Sequence, residues 1–323
     1  MNISIIIVSF NTRDLLLTCV GSALASAAEL DCKVIVVDND SSDGSAEAIK
    51  SQFPNVLVIR NNRNAGFAVA CNQALAIGAS TLVLLLNSDA ELNPAALREL
   101  IRVMETNPRC GAAGCGIIDS RGRTATNTWN FLNPFNQAAD LLGLSSVFSM
   151  PPFARTRRQA IDAGSIDCTV DWIDGACLML RRAALQDIGT LDEQFFMYSE
   201  DEDLCYRLRQ RRWSICYTGR TEIAHRGGAS AGRERFTNLC RFYESQFRFI
   251  AKHQGVRATS YYRVAMRVAL ALKRIKWVLL LRQDKIAEID ERIAALRSAT
   301  QSTGSRERVS RGGPGVDRTA AGR

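Results

Sequence analysis

Four carboxylates stand in consecutive positions at Glu200-Asp-Glu-Asp203, and His225 follows a strand-like segment, Trp213-Ser-Ile-Cys-Tyr217. Fully ionised, such a row repels itself, so a merely structural role is costly without cationic partners. Carboxylates and imidazoles are also the groups that move protons and hold cations near neutral pH. At helical spacing Asp201, Leu204, Cys205 and Leu208 share one face, which turns one acid inward and leaves its neighbours wet. Upstream, Trp172-Ile-Asp-Gly-Ala-Cys-Leu-Met-Leu180 has strand character and carries a further acid, Asp174. Competing readings stand beside this one. An acidic row suits a solvated helix N-terminus, Asp203 and Arg207 are spaced to pair along a helix, and His225, one of only two histidines, could be a satisfied core residue.

Such side chains need elements to hold them. Ile3 to Phe10 is an apolar run of strand length, followed by Asn11 and a helical pattern to about Ala27. Lys33 to Val37 is a second strand ending in Asp38-Asn-Asp-Ser-Ser-Asp-Gly-Ser45. A third, Val56 to Ile59, leads into Arg60-Asn-Asn-Arg-Asn-Ala-Gly-Phe67 and another helix, and a fourth, Thr81 to Leu86, stops at Asn87-Ser-Asp89. Strands apolar on both faces and alternating with helices predict an α/β fold, a parallel sheet covered on two sides. Ligands in such sheets sit at the carboxyl ends of the strands, where these polar clusters fall. Turn chemistry is the other account of Asp38, Asp40 and Asp43, and Asp40 and Asp43 are assigned to it. Asn93-Pro94 opens a helix to about Thr106, and residues 120–165 read as loops shaping a second pocket.

The 323 residues allow one large domain or two modest ones, and an apolar fraction of 46% is ample for a core. Ten cysteines without a CxxC pair indicate a reducing compartment, with thiols buried as small hydrophobes. The chain enters an apolar strand at once, without a basic leader, which predicts a cytoplasmic protein. Neither a G-x-G-x-x-G fingerprint nor a Walker loop is present, against a nicotinamide dehydrogenase or a P-loop ATPase.

The net charge of +8 is uneven: residues 1–240 carry 23 Lys/Arg against 26 Asp/Glu, and residues 241–323 carry 18 against 7. A mildly acidic body with a basic tail argues against nucleic acid and equally suits an anionic membrane surface. Tyr261 to about Ser298 reads as one long helix, with Arg263, Arg267, Arg274 and Lys285 in a narrow sector. Cations interrupt its apolar stretch, so it is expected to lie in the membrane plane rather than span it. Leu272, Ile275, Leu279, Ile286, Ile289, Ile293 and Leu296 also fit a heptad seam, which would pair two copies or pack on the body. Residues 301–323 are expected to be disordered.

Taken in order, Val8-Ser-Phe-Asn11, Val36 to Ser45, Asn64-Ala-Gly-Phe67, Leu84 to Asp89, Asp174-Gly-Ala176, Leu191-Asp-Glu-Gln-Phe-Phe196, Ser199 to Arg207 and His225 closely resemble family 2 glycosyltransferases of the GT-A fold. The bacterial rhamnosyltransferase-type enzymes of cell-surface polysaccharide synthesis are the nearest in flavour, and the resemblance covers about residues 1–250. It implies a Rossmann-like, mostly parallel sheet with a nucleotide-sugar half over 1–115, an acceptor half over 116–240 and a basic helical extension over 241–300. It implies inverting transfer from a nucleoside-diphosphate sugar, dTDP-rhamnose being one such donor, to a hydroxyl of a lipid-linked or polysaccharide acceptor. Asp201 matches the general base. Asn11, Asp38, Asn64, Gly66, Phe67 and Asn87 match the nucleotide-sugar site, and Trp172, Asp174, Glu200 and Asp203 fall where the acceptor binds. Asp89 and His225 match the ligands of Mg²⁺ or Mn²⁺, hard cations suited to a carboxylate, an imidazole and diphosphate oxygens. Asn87 departs from the family's D-x-D motif, leaving Asp89 as the firm carboxylate ligand. The protein is expected at the inner face of the cell membrane, attached peripherally. Cutting the chain before residue 256 is expected to spare sugar-nucleotide binding. A nucleotidyltransferase, or an adaptor acting through the basic tail, are the competing classes; the first lacks its phosphate loop after β-strand one, since Ser9-Phe-Asn-Thr12 is not Gly-rich.

Overall fold

The computed structural model describes residues 2–125, 127–144, 168–227 and 234–311, the last eight of these by backbone alone. The N-terminal elements alternate as expected: β1 (Ile3–Ser9), α1 (Arg13–Ser26), β2 (Cys32–Asp38), α2 (Ser45–Gln52), β3 (Leu57–Arg60), α3 (Phe67–Ile77), β4 (Leu82–Asn87), β5 (Ala90–Glu91) and α4 (Pro94–Thr106). Asn93 caps α4 by accepting from the Ala96 amide at 2.8 Å, with Pro94 at the first helical position. Then come β6 (Cys110–Ile118), β7 (Thr124–Ala125), β8 (Thr128–Trp129), α5 (Asn136–Leu141), β9 (Cys168–Thr169), β10 (Trp172–Ile173), β11 (Cys177–Arg181), α6 (Arg182–Ile188), α7 (Glu200–Gln210) and β12 (Ser214–His225). Three helices close the described chain: α8 (Arg235–Gln254), α9 (Val256–Leu279) and α10 (Gln283–Arg311).

The sheet runs β3-β2-β1-β4-β11-β6-β12-β5. β3, β2, β1 and β4 are parallel, β11 enters antiparallel to β4 and β6, and β12 lies parallel to β6. The sheet is thus mixed: its long strands run parallel except β11 at the centre, and the short strands β5, β7 and β9 pair antiparallel along β12 and β6. On one face α1, α2 and α4 bury Leu16, Val20, Ile49, Leu100 and Val103 against Ile5, Ile7 and Leu84. On the other, α3, α6 and α7 bury Cys71, Leu75, Leu185, Leu204 and Leu208 against Ile6, Leu85 and Leu180. Burial on both faces explains why the strands are apolar throughout. The Gly-rich run at Cys110–Cys115, silent in the sequence, is strand β6. A Cβ at Gly111 would sit 2.8 Å from Leu208 and one at Gly114 2.8 Å from Ile173, so bare backbone lets α7 and β10 pack directly on the strand.

Two expectations change. The segment from Trp172 to Leu180 is two strands, not one; the turn between them presents Asp174 and Gly175. The long C-terminal helix is a hairpin: Leu281 takes φ 54° and the chain reverses between α9 and α10. Ile289 and Leu296 are therefore buried inside the chain with Tyr243, Phe247, Tyr262 and Leu270, while Leu272, Ile275 and Leu279 stay exposed, so no continuous heptad seam exists. The basic sector is broken up as well. Arg263 lies over Phe247, Arg274 pairs with Asp290 at 2.6 Å and Lys285 with Glu288 at 3.3 Å. Because α8 buries its apolar face against α9 and α10, cutting before residue 256 would uncover this core rather than leave the body intact. Helix α10 continues to Arg311, beyond the start of the expected tail; residues 312–323, like much of the expected 120–165 loop region and the 228–230 end of the histidine motif, lie outside the described residues. The cysteines described are free and mostly buried.

Candidate active site

A cleft of about 660 Å³ opens at the carboxyl edge of the parallel strands. The loop after β1 brings Asn11, that after β2 brings Asn39, the one before α3 brings Asn64, Gly66 and Phe67, and the end of β4 brings Asn87 and Asp89. Trp129, Trp172, Asp174 and the start of α7 form the facing wall, and α5 and α8 add Gln137, Asp140, Asn238 and Arg241 at the outer side.

The loops interlock through side chains. Asn39 donates to the Gly66 carbonyl at 3.1 Å and accepts from Asn61 at 2.8 Å, and Asn64 accepts from the Gly66 amide at 3.1 Å. Gly66 sits at φ +91°, and a Cβ there would fall 2.6 Å from the Phe196 carbonyl oxygen. That oxygen accepts from the Phe67 amide at 2.9 Å, so the glycine admits a neighbouring loop of the protein itself. Asn11, Tyr198 and Ser199 all carry positive φ without being glycine, and all three line the cleft, a concentration of backbone strain typical of functional sites. Asp38 ends β2 wholly buried behind the cleft wall; its Oδ2 accepts from the Ser41 amide at 3.2 Å and its Oδ1 has no hydrogen-bond partner.

Helix α7 aims its acids differently, one by one. Asp201 Oδ2 accepts from the Gly175 amide and Oδ1 from the Glu202 amide, both at 2.8 Å. Burial pushes its carboxyl up to about 6, against the pull of those two amides. Asp174 is pushed up to about 7 by burial and by the charge of Asp201, with His225 opposing. Glu200 is raised too, by burial and by Asp201. Oε2 of Glu200 is buried without a hydrogen-bond partner, and the Trp129 indole N–H lies close enough to the Asp174 carboxylate to lower its titration. Glu202 turns away and accepts from the Leu132 amide at 2.6 Å. Asp203, expected at the acceptor, lies outside the cleft because three side chains claim it: the Lys252 ammonium at 2.6 Å, the His253 imidazole at 2.7 Å and the Arg207 guanidinium at 2.8 Å. Burial alone would raise its carboxyl, but those partners hold it down at about 2.

Asp89 and His225 meet because β5 pairs with the end of β12, Ala90 opposite His225. The Asp89 carboxylate lies 3.0 Å from His225 Nε2, and Asn87 Nδ2 lies 3.4 Å from the same nitrogen. Burial pulls the imidazole down, yet the hydrogen bond and charge of Asp89, with the charge of Asp174, raise it overall. No group of three or more His, Cys, Asp or Glu with metal-like spacing occurs among the described residues. A carboxylate and an imidazole side by side on the cleft wall are a fit for a hard divalent cation whose remaining ligands come from a substrate.

Sequence reasoning missed Asn39, Trp129 and Arg241. Asn39 was not singled out from the polar loop after β2. Trp129 lies in a two-residue strand with no periodicity to read; β8–β10 pairing stacks it on Trp172, ring centroids 6.0 Å apart. Arg241 is the one Arg or Lys among the described residues lining the cleft, its guanidinium 4.5 Å over the Phe196 ring.

The chain is 28% identical over 246 residues to N-acetylglucosaminyl-diphospho-decaprenol L-rhamnosyltransferase of Mycobacterium tuberculosis, covering 72% of this chain and 80% of that protein. It is 26% identical to succinoglycan biosynthesis protein ExoU of Rhizobium meliloti, covering 77% of this chain and 70% of the relative. Among solved structures, a mannosyltransferase of Pyrobaculum calidifontis in complex with GDP-Man and Mn²⁺ superposes with a TM-score of 0.58 over 93% of this chain and 86% of that one, at 16% identity. GalNAc-T7 with UDP, GalNAc and Mn²⁺ gives 0.52 over 77% of this chain and 47% of its own length, at 15% identity. The fold is accordingly the GT-A type expected. The family described as Glycosyl transferase family 2 matches residues 4–189, more than half of the chain, and the protein belongs to that family of glycosyltransferases.

Proposed function

We propose that the protein transfers a sugar, with inversion, from a nucleoside-diphosphate sugar to a hydroxyl of a lipid-linked glycan acceptor in cell-surface polysaccharide synthesis. The observation that carries this reading is Asp201, half-buried on the cleft wall, clamped by two backbone amides and poised at about 6. A base with that affinity is mostly ionised at neutral pH yet basic enough to draw a proton from an attacking hydroxyl. The acceptor oxygen bonds to the anomeric carbon as its proton passes to Asp201, and the sugar–phosphate bond breaks on the opposite side. Acceptor hydroxyls find the unsatisfied oxygen of Glu200, the Asp174 carboxyl and the Trp129–Trp172 stack. The donor lies against Asn11, Asn64 to Phe67 and Asn87, whose loops Asp38 braces from behind through the Ser41 amide. Asp89 and His225 would hold Mg²⁺ or Mn²⁺, which when bound supplies charge neutralisation for the departing nucleoside diphosphate. Arg241 adds a fixed positive charge to the same cleft.

The name of the Mycobacterium tuberculosis relative supports a rhamnosyl donor such as dTDP-rhamnose and a diphospho-polyprenol acceptor. Free, mostly buried cysteines support a reducing compartment, the cytoplasmic side of the membrane. The test is a panel of nucleoside-diphosphate sugars offered to the full chain with a diphosphate-lipid acceptor, the products read by mass. Transfer from one donor class is expected, abolished by EDTA and restored by Mn²⁺ or Mg²⁺, and Asp89→Ala and His225→Ala should each lose at least about tenfold. Undiminished transfer in EDTA would overturn the metal assignment.

A further inference from the structure

Helix α9 leaves a continuous apolar face uncovered. Tyr261, Val264, Val268, Leu272, Ile275 and Leu279 are between 50% and 77% exposed. At 100° per residue they fall within a sector of roughly 80°, running the length of the helix. The stripe ends at Leu280 and Leu281, exposed by 55% and 81%, where the left-handed Leu281 turns the chain back. The opposite face is spoken for: Tyr262, Met266, Ala269 and Leu270 are buried in the C-terminal core. An exposed apolar patch of this extent on a soluble fold marks an interaction site.

Charge decides the occupant. Residues 245–283 contain no Asp or Glu, and residues 256–282 carry seven Lys or Arg. Lys276 borders the apolar sector on one side and Arg267 on the other, both exposed, and Arg257 lies at its N-terminal end. A second copy docked through the same face would oppose cation to cation with no acid on α9 to compensate. An anionic bilayer offers both an apolar interior for the stripe and negative head groups for its borders. None of the helices described is long and apolar enough to cross a membrane.

We propose that the α9 stripe, with the Leu280–Leu281 tip, is an in-plane docking face for an anionic phospholipid bilayer. This refines the basic-tail expectation: the attachment lies on one face of one helix, and Arg263, Arg274 and Lys285 serve contacts within the protein instead. It rests on the transferase reading for its purpose. Helices α5 and α8, on which α9 packs, line the cleft with their other residues, so docking brings the acceptor side of the site to the surface that holds a lipid-linked glycan.

The experiment is co-sedimentation of the full chain with phosphatidylglycerol vesicles and with phosphatidylcholine vesicles at low ionic strength. The parent is expected to pellet with the first, to be released by salt, and to remain mostly soluble with the second. The double variant Val268→Glu, Ile275→Glu should lose at least about tenfold in partitioning. A parent that ignores phosphatidylglycerol vesicles, or a variant that pellets like the parent, would overturn the proposal. So would a parent that is dimeric by light scattering and a variant that is monomeric, an outcome assigning the face to a second copy. Hydrogen exchange of the parent gives an independent reading should the variant misfold: vesicles should slow exchange across residues 256–281, and unchanged exchange there contradicts docking. Transfer to a water-soluble acceptor is measured in parallel. Parent transfer without vesicle binding defeats this inference alone; vesicle binding without transfer from any donor defeats the transferase reading alone.

Discussion

Asp174 and Asp201 face each other across the turn that splits the Trp172–Leu180 segment, and their charges are not independent. Asp201 at about 6 sets an acid limb: transfer should fall about tenfold per pH unit below about 6, where an ordinary carboxylate would hold its rate to about 4. A flat profile down to pH 4.5 would move the base elsewhere. Asp174 has the opposite relation to stability. Its folded value of about 7 exceeds the ordinary carboxylate's, so the folded state takes up a proton between about pH 4 and 7, and stability drawn from it is lost as pH rises through that window. Asp174→Asn should therefore stabilise the protein at pH 8 by up to about 4 kcal/mol, with the gain vanishing near pH 4, while transfer declines. Thermal unfolding at the two pH values decides it; equal melting shifts at both would contradict the buried charge. At this scale the sequence was informative wherever a residue type is chemically rare. Asp89 and His225 were named together through the family resemblance, and they stand 3.0 Å apart. The identical-looking acids of the Glu200–Asp203 row could not be separated by type, because what distinguishes them is which backbone amide or cation each meets.

Helix α7 is held from behind by α8. Asp203, fully buried, binds Lys252 and His253 of α8 and Arg207 of its own helix, and His253 packs on Tyr206 at 4.2 Å. The depressed Asp203 carboxyl contributes stability that is present above its unfolded value near 4 and is lost as pH falls through about 2. Asp203→Asn removes the carboxylate that Lys252, Arg207 and His253 share and should cost about 2 kcal/mol at pH 7, read from the urea midpoint, with a smaller difference at pH 2.5. Parent-like stability at pH 7 would refute the tie. The Asp203–Arg207 pairing was visible in the i, i+4 spacing, but Lys252 and His253 lie too far along the chain for spacing to show. Strands β1, β2, β3 and β4 were legible because continuous apolar runs end in polar clusters. The α9–α10 reversal was not, because Leu280-Leu-Arg282 contains neither Gly nor Pro, and the interruption of the apolar pattern at Arg282 does not by itself mark a turn.

Across the whole molecule, the parallel half of the sheet presents its carboxyl edge to a donor, the reversed strand β11 and helix α7 supply the facing wall, and the C-terminal hairpin buttresses that wall. Alternating elements and edge clusters made this layout readable from the chain. The mixed centre of the sheet was not, since strand direction leaves no mark in composition. All of it converges on one carboxylate. The most direct measurement is therefore donor affinity by calorimetry together with single-turnover transfer for the parent and Asp201→Asn, under identical metal and pH conditions. The account predicts donor affinity within about twofold of the parent and a turnover at least about a hundredfold lower. Near-parental turnover with unchanged affinity would contradict it.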